Sequence, residues 1–122
     1  MFEGTATEAM NFYVSLFPGS AIVDVEQYGP DEPGAEGTIK RATFVLGRQE
    51  FFCIDSSVAH DFTFTPSISI FVDCESEAEL LDVYEQLSAG GEVLMPLGTY
   101  GFSSRFAWVN DRFGLSWQLN LP

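Results

Sequence analysis

Positive charge is scarce in this chain. Five Lys and Arg stand against 18 Asp and Glu, a formal net charge of −13. Such a surface repels phosphate backbones and anionic lipid, so neither nucleic acid nor a membrane is an expected partner. Histidine is scarcer still. His60 is the only one, and its polar neighbours in "SSVAHD" place it in solvent. A Ser–His–Asp set therefore has almost nothing to draw on. Cysteine is limited to Cys53 and Cys74, without Cys-x-x-Cys spacing. In a plain cytosolic composition such thiols are reduced and buried. No apolar run reaches the ~20 residues of a membrane span. The opening "MFEGTATEAM" lacks the basic and apolar regions of a signal peptide, so the expected location is cytoplasmic. No glycine-rich loop follows a strand, which leaves phosphate groups or an S-adenosyl cofactor without that cradle.

Apolar material is plentiful. Hydrophobic residues make up 46% and aromatics 15%, with twelve Phe, which argues against disorder. At 122 residues the chain is one domain's length and can bury roughly two-thirds of its unfolded surface.

Two segments carry helical spacing. In "TATEAMNFYVSLFPG", Thr5 and Glu8 predict a capping box, Ala9, Phe12, Tyr13, Leu16 and Phe17 form an apolar stripe, and Pro18–Gly19 stops it. In "SEAELLDVYEQLSAGG", Ser76 and Glu79 repeat the box, Leu80, Val83, Tyr84 and Leu87 the stripe, and Gly90–Gly91 the stop. The segments superpose without a gap at an offset of 71, from Thr5 on Ser76 to Ile22 on Val93. That ordered set points to an internal repeat.

Strand signals follow each helix. "AIVDVEQY", "IKRATFVL" and "EFFCID" come after the first, and "EVLMPL", "SSRFAWVN" and "LSWQLNL" after the second. "LGRQE" and "NDRFG" read as hairpin turns, and "DEPGAEG" as a solvated loop. "PSISIFVDC" precedes the second helix as a further strand, with Ile68, Ile70 and Val72 on one side and Ser67, Ser69 and Phe71 on the other. The first copy keeps only "MF" of that opening strand. The expected fold is α+β: tandem βαβββ units, about 1–57 and 66–122, forming curled mixed sheets around a cavity, the first unit lacking most of its opening strand.

This pattern resembles the vicinal oxygen chelate superfamily of glyoxalases, bleomycin-resistance proteins and dioxygenases. "EGTATEAMNFYVSLFPGSAI", "FTFTPSISIFVDC" and "YGFSSRFAWVNDRFGLSWQL" are similar to its PhnB-like branch, often labelled 3-demethylubiquinone-9 3-methyltransferase. The closing stretch, with Trp108, Asp111, Arg112, Gly114, Trp117 and Gln118, is the most specific part. The resemblance implies metal ligands, usually His and Glu, on the opening and closing strands of each unit. The closing-strand carboxylate aligns with Gln118, a neutral amide, and its first-copy counterpart with about Cys53. The opening-strand candidates Ser67 and Ser69 are neutral hydroxyls. A divalent ion needs about three to four N, O⁻ or S⁻ donors, so no metal site and no cofactor is expected.

Ligand-binding candidates on the concave side are Cys53, Ser67, Ser69, Phe71, Tyr100, Phe102, Arg105, Trp108 and Gln118. Gln118 offers two donors and an acceptor to a ligand, or bonds a neighbouring strand. Tyr100 and Phe102 can wall a pocket. Arg105 can clamp an anion or pair with a nearby acid. Trp108 is pocket wall or core, and Cys53 is a core or wall thiol. Ser116 shares the side of Gln118, with Trp117 and Leu119 in the core. Asp111 and Arg112 read as turn residues. No catalytic residue is assigned. The expected function is small-molecule binding without metal, by a homodimer. The alternatives are a metal-dependent lyase, isomerase or dioxygenase, and a 3-demethylubiquinone-9 3-methyltransferase-like enzyme.

Overall fold

A computed structural model describes residues 1–122. The chain divides into two compact units, Met1–Asp61 and Phe62–Pro122. Unit 1 holds α1 (Ala6–Leu16), β1 (Ala21–Gln27), β2 (Ile39–Leu46) and β3 (Gln49–Cys53). Unit 2 holds β4 (Ile70–Asp73), α2 (Glu77–Ser88), β5 (Glu92–Gly98), β6 (Arg105–Asn110) and β7 (Ser116–Leu121). The sheets run β1-β2-β3 and β4-β7-β6-β5, all antiparallel except the parallel β4–β7 pair. Neither closes on itself. No helix is long and apolar enough to cross a membrane.

Each helix covers one sheet face. In unit 2, Leu80, Val83 and Leu87 of α2 are fully buried, as are Ala107 and Val109 of β6 and Trp117 and Leu119 of β7. In unit 1, Ala9, Met10, Tyr13 and Leu16 are buried, and the Tyr13 ring lies 6.3 Å from Phe44 of β2. Fully burying one such aliphatic side chain stabilises by roughly 1.5–3 kcal/mol. The helices stop alike: Gly19 and Gly90 have φ of 73° and 72°, a left-handed conformation glycine adopts without steric cost.

The helices start differently. Ser76 Oγ accepts from Glu79 N at 3.1 Å, and Glu79 Oε2 accepts from Glu75 N, one residue before the cap. The box expected at Thr5–Glu8 does not form, because Thr5 makes no side-chain cap. Asp55, beyond β3, does that work: its Oδ1 accepts from Gly4 N and Ala6 N at 2.8 and 3.0 Å, and its Oδ2 from Ile39 N at 2.9 Å. The remnant "MF" keeps one parallel bridge, Phe2 to Asp55.

One further expectation is corrected. "PSISIFVDC" is a strand only from Ile70. Ser67 lies in a turn with its hydroxyl 2.7 Å from Thr65 Oγ1, and Ile68 is 77% exposed rather than packed under a helix. The acidic 31–37 loop is solvated as expected, with Asp31, Pro33, Ala35, Glu36 and Gly37 exposed, and Glu32 anchors it. Glu32 pairs with Lys40 and accepts from Gly29 N at 2.9 Å, and its carboxyl is held below the ordinary range chiefly by the hydrogen bond from Lys40.

The β6–β7 turn is organised by buried Asp111. Its Oδ1 accepts from Phe113 N (2.8 Å) and Leu115 N (3.1 Å), and its Oδ2 from Trp117 Nε1 (2.9 Å). Asp111→Ala strips three donors of their acceptor. The expected cost is at least about 3 kcal/mol, read as a lower urea midpoint at unchanged slope.

Candidate functional site

Alternation along β6 and β7 sorts their side chains by face. Residues 107, 109, 117 and 119 lie under α2. Phe106, Trp108 and Asn110, with Ser116, Gln118 and Asn120, face the other way. The register aligns one row across the sheet on that second face: Phe71 pairs with Gln118, Gln118 with Trp108, and Trp108 with Met95. Phe71 is 56% exposed, and Gln118, Trp108 and Met95 are half-buried.

Hydrogen bonds hold the row. Ser116, fully buried, accepts from Trp108 Nε1 at 2.8 Å, and Ser69 Oγ lies 2.8 Å from Ser116 Oγ. The indole is thereby pinned with its ring over β7. One row beyond, Asn120 Nδ2 donates to Asp73 Oδ1 at 2.7 Å. At the other end Asn110 pairs with Ser116 and Glu92, and its Oδ1 is closed to solvent and accepts from nothing. The Gln118 amide makes no hydrogen bond within the chain. Tyr100 and Phe102 stack at 6.1 Å and cover Phe106 edge-on, with centroids at 6.1 and 4.9 Å.

The structure thus brings Ser69, Phe71, Trp108 and Gln118 together, with Tyr100 and Phe102 gathered on the neighbouring Phe106. Three other candidates lie elsewhere. Ser67 is in the turn before β4. Arg105 has the parity of Ala107 and Val109, and its guanidinium pairs with Glu77 of α2, so it lies on the helix side and offers no anion clamp to the row. Cys53 sits opposite Ala42 in the ladder, on the face that Phe44 shares with Tyr13 of α1. Met95 and Asn110 escaped sequence reasoning. Only the strand register, which includes bulges flanking Met95, puts them on this face.

The placement of Cys53 corrects the alignment of the two copies. Phe2 N donates to Ile54 O at 2.8 Å, as Cys74 N does to Asn120 O at 2.7 Å. Phe2 therefore matches Cys74 and Ile54 matches Asn120, which puts Phe52, not Cys53, on Gln118. The first copy has one extra residue ahead of its helix, Glu3–Gly4 against Glu75, and Gly4 takes it up at φ 111°. One residue of slip in a strand reverses the face. Phe52 points away from α1, 64% exposed, with the Arg41 guanidinium 5.2 Å from its ring centroid.

These donors do not fit the superfamily's metal. Its closing-strand carboxylate positions hold an amide, Gln118, and a hydrocarbon ring, Phe52. The opening-strand hydroxyl of Ser69 is engaged with Ser116. No group of three or more His, Cys, Asp or Glu is placed to hold an ion. Burial pushes both free thiols, Cys53 and Cys74, up to about 11, reinforced by nearby carboxylates. At pH 8 the thiolate fraction then falls about 100-fold below that of a thiol at its ordinary value. Iodoacetamide is expected to label the native chain at least about 100-fold more slowly than the urea-unfolded chain, with the native rate still rising tenfold per pH unit up to pH 10.

Comparison with known proteins agrees with this architecture. A family model described as 3-demethylubiquinone-9 3-methyltransferase matches residues 1–120. The PhnB protein of Bacillus cereus, which carries the same methyltransferase label, is 56% identical, with a TM-score of 0.98 over 100% of this chain and 95% of that one. The Pseudomonas aeruginosa protein PA1353 is 28% identical, with a TM-score of 0.84 over 98% of this chain and 91% of that one. TioX from Micromonospora sp. ML1 shares the fold at 16% identity and a TM-score of 0.60, over 100% of this chain and 91% of that one. No protein of curated function matches. The chain belongs to the 3-demethylubiquinone-9 3-methyltransferase-like, PhnB-like family, a branch with the glyoxalase and vicinal oxygen chelate fold.

Proposed function

We propose that this chain is a cytoplasmic small-molecule-binding protein of the PhnB-like family that operates without a resident metal ion. One observation carries the reading. Where the superfamily's pattern calls for a carboxylate, Gln118 presents an amide without a partner in the chain, and it stands between two aromatic side chains, Phe71 and Trp108. An apolar lining with a few fixed polar groups suits a small organic ligand. The Ser69–Ser116–Trp108 chain fixes the indole before any ligand arrives, which lowers the ordering cost of binding.

Metal analysis of purified protein is expected to find well below one Zn, Ni, Mn or Fe per chain, and none of these ions is expected to raise the melting temperature. One tightly held ion per chain would overturn the reading and revive metal-dependent chemistry. Methyl transfer, which the family label suggests, predicts a calorimetric signal with S-adenosylmethionine. None is expected.

We further propose a homodimer. The sheets have open edges at β1 in unit 1 and at β4 and β5 in unit 2, and such edges are normally covered. Light scattering on the eluting protein is expected to give twice the 13.5 kDa chain mass. A monomer at micromolar concentration refutes the dimer and leaves the ligand reading intact.

A further inference from the structure

The charges around the Phe71–Gln118–Trp108 row are of one sign. The ionisable side chains on that face of the strands are Asp73, at the end of β4, and Glu92, at the start of β5 and opposite Asn110. Unit 2 has only two basic residues, and both are committed elsewhere. Arg105 pairs with Glu77 on the helix side, and Arg112 lies with its guanidinium 4.6 Å from the Phe113 ring centroid in the hairpin turn. A carboxylate or phosphate laid on the row would find no cation in unit 2 to compensate its desolvation.

Most other polar groups on this face are engaged or closed off. Trp108 Nε1 is spent on Ser116, and Asn120 Nδ2 on Asp73. Asn110 Oδ1 is closed to solvent, so the uncommitted Gln118 amide is the polar group a ligand meets. It can accept from a ligand N–H or donate to a lone pair, and the choice between cation and anion falls to the surrounding charges.

The row offers two aromatic side chains to a flat ligand. Phe71 and Trp108 stand on strands either side of β7, so their backbones are about two strand spacings apart, roughly 9.6 Å. The bond to Ser116 leans the indole over β7 toward Phe71, so a flat ring laid on the row can touch both. Trp is also the aromatic face that attracts a cation best.

Resting on the binding function proposed above, we infer that this face takes a flat aromatic ligand whose head group is a neutral or cationic N–H donor, and that it discriminates against aromatic anions. The ring packs on Phe71 and Trp108, and the head group donates to Gln118.

The test uses three probes of nearly one shape and three charges: 2-naphthamidine, 2-naphthamide and 2-naphthoate. Each is titrated into ¹⁵N-labelled protein and followed by amide shifts. The amidine is expected to bind at least tenfold tighter than the carboxylate, with the amide between them and the largest shifts at Phe71, Trp108 and Gln118. Because the whole chain is acidic, the titration is repeated in 0.5 M salt, where the screening length falls to about 4 Å. The preference is expected to stay at fivefold or more there, and to drop at least fivefold in Phe71→Ala and in Gln118→Leu. Phe71 is exposed and Gln118 half-exposed, so both variants should fold; melting curves within a few degrees of the parent confirm it. A preference that vanishes in salt, or that both variants keep, overturns the inference. Tighter binding of 2-naphthoate at the same residues overturns the ligand class but leaves small-molecule binding standing. No shift on the row with any probe overturns the class, and a blank from a broad fragment screen then removes the binding function too.

Discussion

The Asp111 carboxylate fixes the register on which the site depends. It accepts from the backbone of Phe113 and Leu115 and from the indole of Trp117, and so ties the turn to the first residues of β7. Trp117 is then held under α2, and Gln118, one residue on, must face the other way. The pairing of Trp108 with Gln118, and the bond from Trp108 to Ser116, follow from that single choice. A slip of one residue would put the amide in the core and the indole of Trp117 on the open face.

Much of this was legible in the sequence. Helical spacing, turn residues and β-branched runs gave both helices and nearly every strand, because each is a local signal that burial reinforces. The superfamily pattern led to Gln118, and Trp117 and Leu119 fell in the core as alternation requires. The failures are all non-local. Thr5 carries a capping residue's chemistry, yet the helix start is satisfied by Asp55, some fifty residues away. Ile68 continues an alternating pattern, but the ladder opposite it has ended by then. Arg105 looked rare enough to be a ligand clamp until its parity put it beside Glu77. Cys53 was one residue from its true match because Glu3–Gly4 adds a residue no gapless superposition could show. Sequence specifies where a strand runs more readily than which way its residues point.

Faces decide chemistry in this fold. A closing strand that presents a carboxylate to the open face can contribute to an ion site. This chain presents Gln118 in one copy and Phe52 in the other, and it puts Cys53 and the core residue Leu119 under the helices. The thiols are thereby removed from solvent and kept protonated, and the row on the open face of unit 2 is left to aromatic rings and the Gln118 amide, with Asp73 and Glu92 at its margins.

The two units also satisfy the start of their helices in different ways. In unit 2, four residues of β4 pair with β7, and Ser76 caps α2 locally. In unit 1 that ladder shrinks to one bridge at Phe2. Donors that would otherwise be orphaned beneath the sheet's end converge on one carboxylate: Asp55 takes Gly4 N, Ala6 N and Ile39 N together, and its own N–H donates to Ile39 O at 2.7 Å. A buried carboxylate is costly unless it is fully engaged, and three donors engage it. The Asp55 carboxylate thereby ties the start of α1 to the start of β2. The start of α1 is for that reason a tertiary feature, formed only once β3 has brought Asp55 to it, whereas the cap of α2 is written within its own four residues.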